Sequence, residues 1–312
     1  MKKLEFQSNI YLIVAAMIWG FAFVAQRVGA EYVPTFTFDA LRFAIGSLSL
    51  IPLILFLGNK ERKKSVDSRK IWLATLPGGL IAGVVLFAAI SMQQSGMIDT
   101  TAGKAGFITD LYIVIVPLLG LFLRHRVHAL TWVSIAICVV GLYLISVTQS
   151  FTTARGDLFE LGGALLWAFH ILIIDHFAKK TDVLKLSLIQ FTVCSVLSMI
   201  VGLSFEQTTI HNISLAAIPL LYGGVCSVGV AYTFQTLGQR HSKPSHSAII
   251  LSLESVFSCI GGAMILGENL GLRGYLGCLL MITGMFLSQI GRINFKAIKS
   301  VINRLPMHRP AE

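Results

Sequence analysis

Residues 9–28 read NIYLIVAAMIWGFAFVAQRV, twenty positions in which the first charge is Arg27. At 1.5 Å per residue, an α-helix of that length covers about 30 Å, the thickness of a bilayer's hydrocarbon core. Working outward from this stretch, comparable apolar runs occur at Phe36–Leu57, Ile71–Gln94, Thr101–Leu123, Ala129–Val147, Asp157–Phe177, Leu184–Phe205, Leu215–Leu237, Ser245–Leu266 and Leu272–Gln289. With Asn9–Val28 they make ten expected transmembrane helices and an all-α membrane protein. Lys2 and Lys3 followed by an apolar run could mimic a signal peptide, but the run is too long and lacks an A-x-A-type cleavage site.

Composition agrees. Hydrophobic residues form 55% of the chain, charged residues 13%, and the mean hydropathy is +0.76; soluble domains carry about 25% charged residues. The net charge of +10 could suggest a nucleic-acid partner, but its distribution points elsewhere. If the N-terminus is cytoplasmic, twenty of the 25 Lys and Arg fall in the inside segments: the two termini, 60–70, 124–126, 179–185 and 240–243. Only Arg27, Arg155 and Arg273 fall outside, and Arg42 and Lys104 lie within spans. This asymmetry is the positive-inside rule, which places both termini in the cytoplasm and excludes nucleic acid as the reason for the charge. The five cysteines all lie inside spans without a C-x-x-C pair, so neither a disulfide framework nor a metal site is indicated, and no cofactor is expected.

The first span recurs. Ala16-Met-Ile-Trp19-Gly-Phe21 returns as Ala164-Leu-Leu-Trp167-Ala-Phe169, and the same offset of 148 carries Arg42-Phe43 onto Gln190-Phe191. Further on, Gly78-Gly79 aligns with Gly223-Gly224, and Ala102 to Leu111 with the stretch around Ala248 to Leu253. Two repeats of five helices follow, residues 1–150 and 151–291, with a basic cytoplasmic tail at 292–312. Five is odd, so the second repeat enters the membrane from the opposite side, as in the inverted repeats of secondary transporters with midplane substrate sites. The longest internal connection, Gly58 to Lys70, is too short for an ATP-binding domain, and no G-x-x-x-x-G-K-[ST] loop occurs. Any energy for transport must come from a gradient. Within the tail, Phe295, Ile298, Ile302 and Leu305 share one helical face, which suits a basic segment lying on the anionic leaflet.

An ionisable side chain at the bilayer centre costs about 2.5–3.5 kcal/mol on insertion scales and so faces a partner or a wet cavity. Glu254 and Asp110 occupy the middles of the ninth and fourth spans. Both are candidates for binding a proton or a cationic solute group, and a fixed structural acid is the alternative for each. Ser247, Leu251, Glu254 and Ser258 share a helical face. Lys104 could attract an anionic group or snorkel outward. Trp19, Phe23 and Gln26 form one stripe, and Trp167, His170 and Ile174 another; tryptophans at this depth are unusual, and the two stripes could frame a pocket for an apolar or aromatic solute or simply pack. His170 has no partner at metal-ligand spacing and is kept as a proton-relay candidate. Asp39 and Arg42, three apart, can neutralise each other or Arg42 can reach the cavity. Gln93, Tyr232 and Gln235 are weaker polar candidates, and Pro77, Pro117 and Pro219 mark expected kinks.

Taken together, Ala16-Met-Ile-Trp19-Gly-Phe, Ala248-Ile-Ile-Leu-Ser-Leu-Glu254 leading to Gly267-Glu268, and Gly277 followed by Gly284 resemble the ten-helix EamA branch of the drug/metabolite transporter superfamily. The resemblance covers roughly residues 9–290. It implies an inner-membrane carrier without enzymatic activity, usually an exporter of amino acids, other small metabolites or toxic compounds, with helices one, three, four, six, eight and nine around a central cavity. Two departures stand out. Arg124-His-Arg126 stands where many relatives carry Gly-Glu, and Ser255 stands where a proline is common after the acid, which affects the kink expected in span nine. An importer of a vitamin or nucleotide-like compound is the alternative on the same scaffold, and a membrane enzyme or scaffold a more distant one. The expected partners are a small solute, the lipid bilayer and protons as the coupling ion, in a monomer or weak dimer.

With both termini inside, Lys60→Cys and Ser242→Cys, each made in a background lacking the native cysteines, face the same side. Membrane-impermeant maleimide should label both from the cytoplasmic side only; labelling from opposite sides overturns the topology.

Overall fold

A computed structural model describes residues 2–62, 68–99, 107–124, 127–146, 155–265, 267 and 271–302. These residues form ten helical rods, α1 (Lys2–Ala30), α2 (Thr35–Arg62), α3 (Ser68–Asp99), α4 (Phe107–Phe122), α5 (Ala129–Ser146), α6 (Arg155–Ala178), α7 (Val183–Phe205), α8 (Ala217–Gln239), α9 (Pro244–Ile265) and α10 (Gly271–Ile302). A short helix, Ile210–Leu215, precedes α8. There is no strand among the described residues. Eight rods are long and apolar enough to cross a membrane, whereas α4 and α5 are shorter as described. Residues 100–106, 125–126 and 147–154, which adjoin them, lie outside the described residues, as do Lys104, Glu268 and the tail beyond Ile302.

The outward faces explain why these sequences form helices. Phe56, Phe122, Leu203, Phe205, Ile218 and Leu272 are all more than half exposed, a surface that hydrocarbon tolerates and water does not. In hydrocarbon the backbone must satisfy its own N–H and C=O groups, which a helix does within one segment. Helix ends are capped by side chains: Asp182 accepts from the Lys185 amide at 2.9 Å at the start of α7. More unusually, Glu206 at the end of α7 reaches across to the start of α2, accepting from the amides of Phe36 (2.9 Å) and Thr37 (2.7 Å) and from the Thr37 hydroxyl (2.8 Å). A carboxylate at that end suits the positive pole of the α2 dipole.

Close contacts give the helix directions. Thr37 lies against Gly202 and Ser195 Oγ donates to the Ala40 carbonyl, so α2 and α7 run antiparallel. Gly141 meets Gly277 and Cys138 meets Gly284, so α5 and α10 are antiparallel. Asp110 meets Ser255 and Tyr112 meets Glu254, which makes α4 and α9 antiparallel as well. By contrast, α1 and α9 run parallel, with Gly20 on Phe257 and Phe21 on Gly261. The pattern survives exchange of each helix with the one five places on: α1 packs on α8 as α6 packs on α3, and α2 on α8 as α7 on α3.

This packing corrects one alignment made on sequence. A Cβ built on Gly83 would run into Val193 and the Gln190 carbonyl; one built on Gly224 would run into Ile45 and the Arg42 carbonyl. Since Arg42 and Gln190 are equivalents at an offset of 148, Gly83 rather than Gly78 or Gly79 is the counterpart of Gly224. Pairing glycines by identity had chosen the wrong turn.

Three helices depart from regular winding near the centre. In α9 the chain loosens into turns at Ser252 and Leu253, with the amides of Leu253 and Ser255 bonding three residues back rather than four. No proline is involved; the Ser252 hydroxyl instead donates to the Ile249 carbonyl at 3.0 Å, a local bond that competes with the helix ladder. The face expected from Ser247 to Ser258 is interrupted there. The counterpart break in α4 falls at Leu111. In α8, residues Tyr222–Tyr232 wind as a π-helix, which sequence periodicity did not anticipate.

At Gly141 a Cβ would lie 2.7 Å from the Gly277 carbonyl oxygen, whereas Gly267, at φ +68°, has open space around it. Gly141→Leu should therefore lower stability by about 1–3 kcal/mol, and Gly267→Asn should have little effect because Asn tolerates positive φ. Unfolding in mild detergent, followed by circular dichroism, compares the two.

Candidate solute cavity

Both halves of the chain wall a central cavity holding roughly 530 Å³ of empty space, part of it open to solvent. Helix α1 presents Trp19, Phe23 and Gln26, the stripe read from its sequence, and α6 presents Trp167 and Ile171. Tyr232 of α8 stands between the two indoles. Its ring centroid is 4.6 Å from Trp19 in an edge-on arrangement (63°) and 6.3 Å from Trp167 in a stacked one (20°). Phe43, Phe191 and His170 back it at 6.0, 5.7 and 6.3 Å. Each indole N–H is held across the same kind of helix pair: Trp19 donates to the Ser227 carbonyl of α8 at 3.2 Å, and Trp167 to Gln93 Oε1 of α3 at 3.2 Å. The tryptophans are thus pinned polar-end first, with ring surface left for the cavity.

Two opposite charges reach this aromatic chamber. Glu254, first residue after the break in α9, lines the wall and accepts from the Tyr112 hydroxyl at 3.2 Å. Arg42 of α2 also lines it, 2% exposed. Its Nε donates to Asp39 Oδ1 at 2.8 Å, and Nη2 lies 2.8 Å from the same oxygen without making a hydrogen bond of its own. The guanidinium therefore keeps donor capacity beyond its partner. Both sequence readings of Arg42 hold at once: it is paired with Asp39, and it reaches the cavity. Its plane rests on Phe38 and Phe43, with its central carbon 5.7 and 5.2 Å from their ring centroids.

Of the residues singled out on sequence, Trp19, Phe23, Gln26, Trp167 and Glu254 come together, along with Arg42, Gln93, Tyr232 and Gln235. Asp110 and His170 do not line the cavity. Asp110 stands beside it and accepts from Ser255, with Oδ1 unpartnered. His170 is fully buried behind Trp167, its Nε2 2.9 Å from Gln190 Oε1. Lys104 lies outside the described residues. The six helices expected around the cavity all contribute, and α2 adds Arg42. Sequence reasoning missed Tyr112, Thr109 and Ser227 as wall residues and Glu160 just behind them. For Tyr112 a signal was present, because an offset of 142 between the fourth and ninth spans sets it opposite Glu254. Among the described residues no three His, Cys, Asp or Glu side chains are placed to share a metal ion, and all five cysteines are free thiols.

Such a chamber can hold a flat or apolar group between aromatic rings while an acid and a guanidinium take groups of opposite charge. Comparison with known proteins agrees in kind. The model of the EamA-like transporter family matches the chain twice, over residues 7–147 and 154–289. An uncharacterized transporter of Archaeoglobus fulgidus is 27% identical over 281 residues, 90% of this chain and 85% of that one. A probable amino-acid metabolite efflux pump of Escherichia coli is 25% identical over 312 residues, covering 94% of this chain and 98% of the pump. A crystal structure with 17% identity superposes at a TM-score of 0.74 over 91% of this chain and 96% of its own, a likeness of fold.

Replacing Gln93 by Leu leaves the Trp167 N–H buried without an acceptor. This should cost about 1–3 kcal/mol and free the ring, so the near-ultraviolet circular dichroism of purified Gln93→Leu should weaken while its far-ultraviolet spectrum is kept.

Proposed function

Given that the chain belongs to the EamA-like transporter family, we propose that it is a gradient-driven exporter of small metabolites, amino acids or related zwitterions foremost, working by alternating access in the cell's inner membrane with both termini in the cytoplasm. The observation that carries the reading is the placement of Glu254 and Arg42 on one aromatic chamber between the two halves. An ammonium group pairs with Glu254, a carboxylate with the free donors of Arg42, and an apolar side chain with Trp19, Trp167 and Tyr232.

Inverted repeats make alternating access a natural motion, because rocking one half on the other closes one side as it opens its symmetric counterpart. The twofold family match and the antiparallel crossing of α2 with α7, α4 with α9 and α5 with α10 support such an arrangement. Equivalent helices that cross antiparallel are what a pseudo-twofold axis in the membrane plane produces. Strict alternation of all ten rods agrees with every direction given above, and so supports α4 and α5 as spans. Glu254 supplies the coupling: its carboxylate holds either a proton or the solute's ammonium group. A proton arriving from one side displaces the solute, and a solute arriving from the other displaces the proton, so one proton is exchanged for one solute per cycle and, with a net-neutral zwitterion, the proton's charge is the charge moved.

A flux assay of the full chain in proteoliposomes, run over a panel of amino acids with and without an imposed pH gradient, tests this. Gradient-stimulated movement of at least one zwitterion is expected; no movement of any of them refutes the reading. Glu254→Gln preserves size and hydrogen bonding with Tyr112 while removing the titratable charge. The variant should express normally and lose stimulation by the gradient, whereas an unchanged rate and pH profile would release Glu254 from this role.

A further inference from the structure

Glu160 sits in α6 with none of its surface exposed. One carboxylate oxygen, Oε2, accepts from the Thr109 hydroxyl at 2.7 Å; the other, Oε1, has no hydrogen-bond partner. Thr109 is itself a wall residue of the cavity. The acid is thus one hydroxyl away from the chamber, and its second oxygen is shielded and unbonded among the described residues.

Packing does not require an acid there. Glu160 fits against Gly96 of α3, where a Cβ would lie 2.8 Å from Oε1. At the symmetric place in the other half, Gly238 of α8 receives Leu12 of α1, and Leu12 is the equivalent of Glu160 at the offset of 148 that relates Trp19 to Trp167. The same glycine notch therefore takes a leucine in one repeat and a carboxyl in the other. Burying a carboxyl where a leucine suffices is costly unless the group is used. The charged group acting on it among the described residues is Asp157, one turn earlier in α6, and Asp110 follows Thr109 in α4. Helix α3 meets it at Gly96 and packs Gln93 on Gly163, and α8 meets α6 nearer the other end, where Gln239 bonds the Ile171 carbonyl. Asp110 also carries an unpartnered oxygen.

We propose that Glu160 is a second proton-binding carboxyl of the transport cycle, loaded from the cavity through the Thr109 hydroxyl. The idea rests on the transporter reading above, though its test does not. In the loading step the Thr109 O–H proton passes to Oε2, giving the carboxylic acid, and a hydronium ion in the cavity returns a proton to the threonine oxygen and leaves as water; discharge is the reverse. Nothing is oxidised or reduced. Glu254, which meets the solute directly, and Glu160, which does not, then take different parts: one exchanges proton for solute, and the other stores a proton beside it.

Infrared difference spectra of the full chain in lipid, recorded between acidic and neutral buffer without any solute, read protonated carboxyl groups directly. Glu160→Gln should lose one carboxyl C=O difference band, distinct from the band lost in Glu254→Gln, and Thr109→Val should slow the appearance of the Glu160 band after a pH jump. Glu160→Leu copies the Leu12 notch, so it should fold with an unchanged melting profile and lose the same band. If neither Glu160 variant alters the difference spectrum, the acid is a fixed structural group and the proposal falls. Loss of the band in a chain that moves no amino acid would leave the proton site standing and reject the zwitterion-exporter reading instead.

Discussion

A bilayer offers a side chain no hydrogen bonds, so each polar group that this chain carries into the hydrocarbon must find its partner within the protein. That constraint gathers the polar groups at the seam between the two halves. The indoles of Trp19 and Trp167 bond to α8 and α3, Tyr112 bonds to Glu254, and Ser255 to Asp110, each across a helix pair that joins one half to the other. The lipid-facing surface is left to leucine, isoleucine and phenylalanine. At the cavity on the seam a polar solute could meet several polar groups at once, and the aromatic rings that fill the remaining space set its character.

Much of this was legible in the sequence. The lengths of the apolar runs gave the helices, and the recurrence of Trp19 at Trp167 gave two halves whose tryptophans share a chamber. Glu254 stood out because a charge in the middle of an apolar run is expensive. What escaped was information carried by neighbours rather than by letters. Glu160 lies only a few residues inside its span, where nothing in the letters marks it out; the fold presses it against Gly96 and closes it from solvent. Tyr112 looked like one more aromatic of α4. The break in α9 was expected to need a proline, yet Ser252 loosens the helix by bonding to its own backbone.

Likeness between the halves also shows where they differ. Arg42 has Gln190 as its counterpart, so the cation that reaches the cavity from α2 has no twin in α7, where Gln190 turns to His170 instead. Leu12 and Glu160 differ in the same way. Corresponding positions of the two halves thus carry different chemistry on similar packing.

The π-wound stretch of α8 records one such difference as a count. Thirteen residues take α3 from Gly83 to Gly96, and fourteen take α8 from Gly224 to Gly238, although both pairs of glycines dock onto equivalent neighbours. The surplus residue falls where Tyr222–Tyr232 wind wider than an α-helix, as a single insertion absorbed without displacing either end would do. Such an insertion leaves slack in one wall and none in its counterpart. That slack lies beside Tyr232, so a loop of spare backbone adjoins the ring that separates the two tryptophans, and the lineage could reshape the chamber there by editing one residue while the frame around it stayed fixed.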